Sequence, residues 1–372
     1  MRIAIITLPL HTNYGGILQA YALQTVLQRM GHDVVLLDKS PYRKLACWRK
    51  PLSYTKRVIN KFLLRKDTKV FIEKYYNRNY PIVSQFTQIF IDKYINRIEV
   101  DDFAKLEKYL FDAIVVGSDQ IWRPLYYPKI ATAYLDFTAS WNIKRIAYAP
   151  SFGTDKWEYT NRQTKSCAKA LRKFDAVSVR EDSGVGLCEE HLGVKAEHVL
   201  DPTMLLSKED YIQIIRESNV PKCAGSLLCY VLDDTKDKQD IIEKIAQTKG
   251  LVPFKVNSKV EECNAPLHER IQPSVEQWLK GFHEAKFVIT DSFHATAFSI
   301  LFGKPFIVIG NKERGLSRLK SLLKLFDLDN HLIVIGDLIE FDTDYSLDTQ
   351  TINLKLDNFR MKSLEFLISS LK

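Results

Sequence analysis

The sequence predicts an α/β protein made of two doubly wound, Rossmann-like domains that face each other across a cleft. Three observations lead there. Short apolar runs alternate with helical patterns along most of the chain, as parallel sheets with crossover helices require. At 372 residues the chain exceeds the usual size of one domain, and a hydrophobic content of 46% supplies sizeable cores. The alternation also restarts once, after Asp201-Pro202-Thr203. That break gives a first domain over 1–203, a second over 204–350 and a terminal helix over 351–372. Whether that helix packs back on the first domain is left open by the sequence.

The elements follow from pattern and punctuation. Arg2 to Leu8 is an apolar strand. Gly15 to Met30 is a helix with Ile17, Leu18, Tyr21, Ala22 and Leu27 inward and Gly31 as its cap, and Asp33 to Leu37 is the next strand. A basic insertion and a helical stretch around Gln85 to Leu110 precede a buried strand at Ala113 to Val116. Strands at Ile146 to Ala149, Ala176 to Val179 and His198 to Leu200 continue the series, with helices near Thr160 to Lys173 and Ser183 to Leu192. The second series has strands at Leu227 to Leu232 and Val252 to Val256, with helices at Lys236 to Lys249 and Ser274 to Glu284. It closes on the strand from Phe287, a small-residue helix through Leu301, a strand from Phe306 and a last helix from Asn358 to Ser370.

Charge is concentrated. The chain carries +8, yet Arg43 to Lys69 holds ten Lys and Arg against one acid, Asp67, so this segment is +9 and the remainder about −1. The segment also contains Trp48, Tyr54, Phe62, Leu63 and Leu64, and Ser53 to Arg65 has helical spacing with Val58, Phe62 and Leu63 on one side. Two readings stand: an interfacial helix on anionic lipid, or a solvated basic insertion. No RNA- or DNA-binding motif accompanies it, so nucleic acid is not an expected partner. The longest apolar runs fall short of the ~20 residues a spanning helix needs, and Met1-Arg2 leads straight into a strand, so neither a membrane span nor a signal peptide is expected. Six scattered cysteines without a C-x-x-C pair argue against zinc, iron–sulfur or a disulfide framework. The expected setting is a reducing cytosol, with peripheral contact at the inner membrane face if the insertion binds lipid.

Several cofactor classes drop out. The turn after the first strand, His11-Thr12-Asn13-Tyr14-Gly15-Gly16, is not a dinucleotide fingerprint, and neither a P-loop nor a G-x-S-x-G elbow occurs. What remains is a set of polar turns at strand ends. Asn13, Tyr14 and the paired glycines lead into the first helix, with Gln19 near its first turn. Gly117-Ser118-Asp119-Gln120-Ile121-Trp122 follows a fully apolar strand, where polar groups are costly unless they face water or ligand. Asp119 and Gln120 suit sugar hydroxyls and Trp122 a sugar face, with capping by Asp119 as the alternative. Ser178-Val179-Arg180-Glu181 ends another strand with a fork donor beside a carboxylate, either an ion pair or an anion site. The turn Asp291-Ser292-Phe293-His294 opens a helix, where backbone N–H groups, the helix dipole and an imidazole could meet an anion together. Its plainer reading is a cap from Asp291 or Ser292 with His294 packed. Arg314 and Arg318 follow the next strand and fall near that turn.

These pieces together resemble the polysaccharide pyruvyltransferase family. The matching segments are NYGGILQAYALQ at Asn13 to Gln24, GSDQIW at Gly117 to Trp122, SVRE at Ser178 to Glu181, DPT at Asp201 to Thr203 and DSFHATAFSILFGKPF at Asp291 to Phe306. The resemblance implies phosphoenolpyruvate as co-substrate and a pyruvyl ketal placed across two hydroxyls of a sugar in capsule or exopolysaccharide assembly, on a lipid-linked precursor or the polymer. It also implies a fold similar to the two-domain glycosyltransferase B architecture. One departure stands out. Better studied branches carry Arg-Leu-His where this chain has Ser292-Phe293-His294. Either Arg314 or Arg318 supplies the missing charge, or the donor is bound differently, or this branch has changed substrate.

Ketal formation requires protonation of the enol carbon, an oxocarbenium-like centre, attack by a hydroxyl and departure of phosphate. On this scheme His294 is phosphate ligand and acid, Asp119 the hydroxyl-orienting base, and Ser292, Arg180, Arg314 and Arg318 line the donor site. Asn13, Tyr14, Gln19, Gln120 and Trp122 face the acceptor. The scheme demands no metal and no cofactor beyond the co-substrate. A nucleotide-sugar glycosyltransferase is the rival enzyme and would need a ribose-gripping Glu, for which Glu284 and Glu313 are poorly placed. A non-catalytic sugar-binding component of an assembly complex is the other rival.

Overall fold

Apolar strands flanked by crossover helices favour parallel pairing. Each of the ten strand pairs among the described residues is parallel. The computed structural model describes residues 1–65, 69–310, 316–335 and 345–372.

In chain order the first part contains β1 (Arg2–Ile6), α1 (Tyr14–Arg29), β2 (Asp33–Asp38), α2 (Lys50–Phe62), α3 (Ile72–Val83), α4 (Gln85–Tyr94) and β3 (Arg97–Glu99). It continues with β4 (Ala113–Val116), β5 (Lys144–Ala147), α5 (Asn161–Leu171), β6 (Ala176–Val179), α6 (Asp182–Leu187) and β7 (Glu197–His198). Its seven strands lie in the order β3-β2-β1-β4-β5-β6-β7. The second part contains α7 (Lys208–Arg216), β8 (Leu227–Tyr230), α8 (Lys236–Lys249), β9 (Pro253–Phe254), α9 (Val275–Glu284), β10 (Phe287–Thr290) and α10 (Phe293–Leu301). Then come β11 (Phe306–Gly310), α11 (Leu316–Leu325), β12 (Leu332–Val334) and α12 (Thr349–Leu371), and the five strands run β12-β11-β10-β8-β9.

Each sheet reverses its winding once. In the first, β2 lies on one side of β1 and β4 on the other; in the second, β9 and β10 flank β8. Ligand crevices in open α/β sheets form beyond the strand ends at such switch points. The turns that leave β1, β4, β8 and β10 border these crevices.

The two halves share a core. One apolar cluster joins Ile3, Ile5, Leu18 and Leu23 of the first half to Tyr211, Trp278, Phe298 and Leu367. Helix α12 adds polar stitches: Leu200 N–H donates to Ser363 Oγ at 3.0 Å, and the Arg360 guanidinium donates to Met204 O and Leu206 O at 3.1 and 3.2 Å. Its Phe359 also meets Phe326 at the end of α11, 6.1 Å between ring centres. Among the described residues no helix is long and apolar enough to cross a membrane.

The helical stretch expected from Gln85 to Leu110 is instead α4, β3 and a 3-10 turn over Phe103–Tyr109. Asn96 explains the interruption. Its N–H donates to Gln24 Oε1 at 2.8 Å and its amide to Val34 O at 2.9 Å, drawing the chain into the sheet edge beside β2. Helix α12 begins at Thr349, nine residues before the expected start, where Asp348 caps it through the N–H groups of Gln350 and Thr351.

Candidate active site

The turn after β4 is held by Gln19. This side chain is fully buried on the first turns of α1, donating to Thr7 Oγ1 at 2.8 Å and Gly16 O at 2.9 Å. Its oxygen accepts the Ser118 N–H at 2.8 Å. Gln19 thus ties the β1 and β4 turns together and is not exposed to an acceptor. Asp119 follows with φ of 57°, the left-handed region that non-glycine residues enter at a cost. Its carbonyl holds the geometry by accepting the N–H groups of Ser151 and Ile121, both at 2.8 Å.

Arg180, leaving β6, sits at the centre. Its side chain is buried, with Nη1 donating to Asp201 Oδ2 at 2.7 Å and Nη2 lying 3.4 Å from Asp119 Oδ1. Glu181 Oε2 is 3.9 Å from Arg180 Nε, too far for a hydrogen bond. The other Glu181 oxygen accepts from Ser151 Oγ at 2.7 Å and Phe152 N–H at 3.0 Å, which shapes the turn after β5. Three carboxylates around one guanidinium raise the Arg180 pKa despite the opposing effect of burial.

The second half closes on this centre through α10. Phe293 lies under the Arg180 guanidinium, 4.2 Å from ring centre to Cζ. His294 Nε2 is 3.4 Å from Arg180 Nη1 and 3.6 Å from Asp201 Oδ2. The opposite edge of the ring rests on Gly15, where a Cβ would come within 2.0 Å of His294 Nδ1. Only glycine lets α1 approach the imidazole so closely. Burial alone would raise the Asp201 carboxyl, but His294 and then Arg180 more than offset it and hold the group well below the usual carboxylate range. Its other oxygen accepts from Thr203 N–H and Oγ1 at 3.0 and 2.7 Å.

The amino end of α10 carries no side-chain cap from Ser292. Asp291 does not cap it either. It accepts Leu232 N–H at 2.8 Å and Lys238 Nζ at 2.7 Å, joining the β8 and β10 turns through a buried ion pair. Arg318, on α11, enters the same field. Burial, and after it the like charge of Arg180, push its guanidinium down to about 10, while Asp119, Glu181 and Tyr126 act in the opposite sense. Arg314 and Glu313 lie outside the described residues.

Asp119, His294 and Arg318 are therefore gathered around Arg180, with Ser292 at the start of the helix that carries His294. The acceptor set is not. Tyr14 is buried and its hydroxyl donates to Pro273 O at 2.8 Å and lies 3.2 Å from Val256 O, which makes it a bolt between the halves. Trp122 is also buried, stacked on Tyr134 at 4.7 Å and donating to Ala133 O at 3.1 Å, so its face is covered. Asn13 is exposed and caps α1 through Gly16 N–H, and Gln120 sits half-buried 3.3 Å from Arg123 Nη1. Asp201 and Phe293 complete the centre with no role expected from the sequence, Glu181 lies beside Arg180 as its place in the chain suggests, and Gly15 gives close approach to an imidazole. For Asp201 a signal existed, since it is a charge placed directly after an apolar strand.

The family model described as polysaccharide pyruvyl transferase matches residues 13–313, a span that contains Gly15, Asp119, Arg180, Asp201 and His294. The chain belongs to that family. Its members are transferases. No curated protein matches the sequence. Among solved structures, the UDP-GlcNAc 2-epimerase from Neisseria meningitidis bound to UDP-GlcNAc aligns over 100% of this chain and 99% of its own, with 10% identity and a TM-score of 0.51. The S. aureus MnaA–UDP structure aligns over 96% of this chain and 88% of its own, with 12% identity and a TM-score of 0.47. A spinosyn rhamnosyltransferase covers 99% of this chain and 96% of its own, with 12% identity and a TM-score of 0.39. The likeness is one of fold, and with the paired parallel sheets it gives this family member the two-domain glycosyltransferase B architecture.

Proposed function

We propose that the protein transfers the pyruvyl group of phosphoenolpyruvate to two hydroxyls of a sugar, forming a cyclic ketal in surface polysaccharide assembly. Family membership supports the reaction class. The single observation that carries the reading is the buried Arg180–Asp201–His294 cluster at the amino end of α10, which neither Ser292 nor Asp291 caps. Such a helix end with an imidazole beside it suits a phosphate.

The enol methylene gains a proton and becomes a methyl group, the adjacent carbon forms two C–O bonds to the sugar, and its bond to the phosphate oxygen breaks. Of the two hydroxyl protons released, one replaces that taken up by the methylene and the other leaves with phosphate. His294 is the proton donor and phosphate contact, and Asp201 holds its ring in place. Asp119 orients the attacking hydroxyl. The three carboxylates around Arg180 offset its charge, so Arg180 positions His294 and Asp119, and Arg318 supplies the charge absent at Ser292. A ribose grip from Glu284 is disfavoured because its carboxylate accepts Cys223 N–H at 2.7 Å, in the segment leading into β8, away from the strand ends that face the cleft.

The test is incubation of the full chain with phosphoenolpyruvate and lipid-linked or short sugars bearing vicinal or 4,6-spaced hydroxyls. Phosphate release with a sugar product heavier by one pyruvyl ketal supports the reading. Phosphate release from no acceptor, alongside turnover of a nucleotide sugar, would replace it.

A further inference from the structure

Helix α2 is amphipathic in the wrong sense for a soluble protein. Ser53, Tyr54, Arg57 and Asn60 face the rest of the molecule, while the apolar residues face water. Leu52 is 80% exposed, Phe62 69% and Leu63 75%, and Trp48 just before the helix is 76% exposed. Leu52, Ile59, Phe62 and Leu63 recur at helical spacing on that outer side. The inversion is held from beneath: Arg57 grips Glu73 on α3 through two bonds of 2.7 Å and donates to Val70 O at 3.1 Å, and Tyr54 packs edge-on against Phe71 at 5.0 Å. The apolar face therefore cannot turn inward without breaking a bidentate ion pair.

The charge around this face names its occupant. Lys50, Lys56, Lys61 and Arg65 are exposed beside it, within a segment of net +9. A second copy of the chain would bring an equal positive charge against it. A polyanion such as nucleic acid would engage the bases and leave the row of Leu, Ile and Phe without a role. A bilayer bearing anionic headgroups engages both at once, the acyl boundary taking the apolar row and the headgroups the cations.

We infer that α2 docks the protein on anionic phospholipid bilayers. The insertion leaves the sheet at Asp38, the carboxyl end of β2, which is the same edge from which the turns after β1 and β4 depart. Docking through α2 sets the rim of the cleft beside the bilayer, within reach of a substrate carried there. The inference is separable from the proposed reaction, because lipid binding is read with no donor or acceptor present.

The experiment is co-sedimentation of the full chain with vesicles of phosphatidylcholine, alone or mixed with phosphatidylglycerol. Binding is expected to be at least about tenfold tighter on the mixed vesicles and to weaken as salt rises from about 0.1 to about 1 M. Trp48 emission should shift to the blue on binding, and Trp48→Phe should abolish the shift. The triple variant Leu52→Ser, Phe62→Ser, Leu63→Ser should lose about tenfold or more in affinity, as should Lys56→Gln, Lys61→Gln, Arg65→Gln. Equal affinity for neutral and anionic vesicles overturns the inference. So does a serine variant that binds like wild type, or a wild-type dimer that the serine changes dissociate while vesicle binding is nil. If the serine variant melts early, the wild-type Trp48 shift decides: no shift on anionic vesicles overturns the inference.

Discussion

His294, carried by the second half, meets the Arg180–Asp201 pair through one ring nitrogen and Gly15 through the other, so both edges of its ring are held by the first half. Under the proposed reaction, His294→Ala should lower kcat/KM by about 2–4 kcal/mol of transition-state stabilisation. Steady-state kinetics on phosphoenolpyruvate reads this, and an unchanged kcat/KM would remove the ring from the chemistry. His11 gives a prediction of a different kind. Burial, and after it the charge of Arg43, push its imidazole down to about 4. The unfolded chain titrates near about 6.5, so between these values it holds more protons than the folded one and stability declines as pH is lowered, by up to about 3 kcal/mol. Urea denaturation at pH 7 and pH 4 should show His11→Leu losing less stability over that interval than wild type. At this scale Arg180 was readable because a charge directly follows an apolar strand, and Asp119 because it lies in the polar turn after one. Asp201 satisfies the same test, but Asp-Pro reads first as a break. Trp122 was not readable, because Tyr134 and Ala133, which engage it, come from a segment with no periodic signal.

Among the elements, α1 offers a paired test. Glycine to alanine ordinarily favours a helix by up to about 1 kcal/mol. At Gly15 the added methyl would strike His294, so Gly15→Ala should destabilise by about 1–3 kcal/mol and reduce kcat by about a hundredfold. Gly16→Ala meets nothing closer than Asn13 at 3.7 Å and should leave both quantities near wild type. Thermal melts and initial rates on the two variants decide it. Helix α8 was legible from its spacing, and α10 from the polar turn and the run of small residues between two apolar strands. Helix α3 was not, since Pro81 lies within it and punctuates the pattern. The three-residue β3 depends on Asn96 reaching back to Gln24 and Val34, contacts 72 and 62 residues distant that no local window contains.

Across the whole molecule, the two-domain architecture was legible from the restart of alternation after residue 203, but the seam between the halves was not. Tyr14 looked like a ligand contact beside paired glycines, yet its hydroxyl is bonded across the seam to Pro273. Tyr14→Phe should therefore lower stability by about 1–3 kcal/mol through the carbonyls it leaves unpaired. The acceptor KM should stay unchanged; a shifted KM without loss of stability would return Tyr14 to the acceptor surface. The path of the chain has one more consequence. It passes between the halves twice, once through the segment after β7 and again through α12, which is stitched to Leu200, Met204 and Leu206. Two crossings and a shared apolar cluster join the halves into one buried unit, so the contact of His294 with Gly15 is set by packing on both sides of the seam.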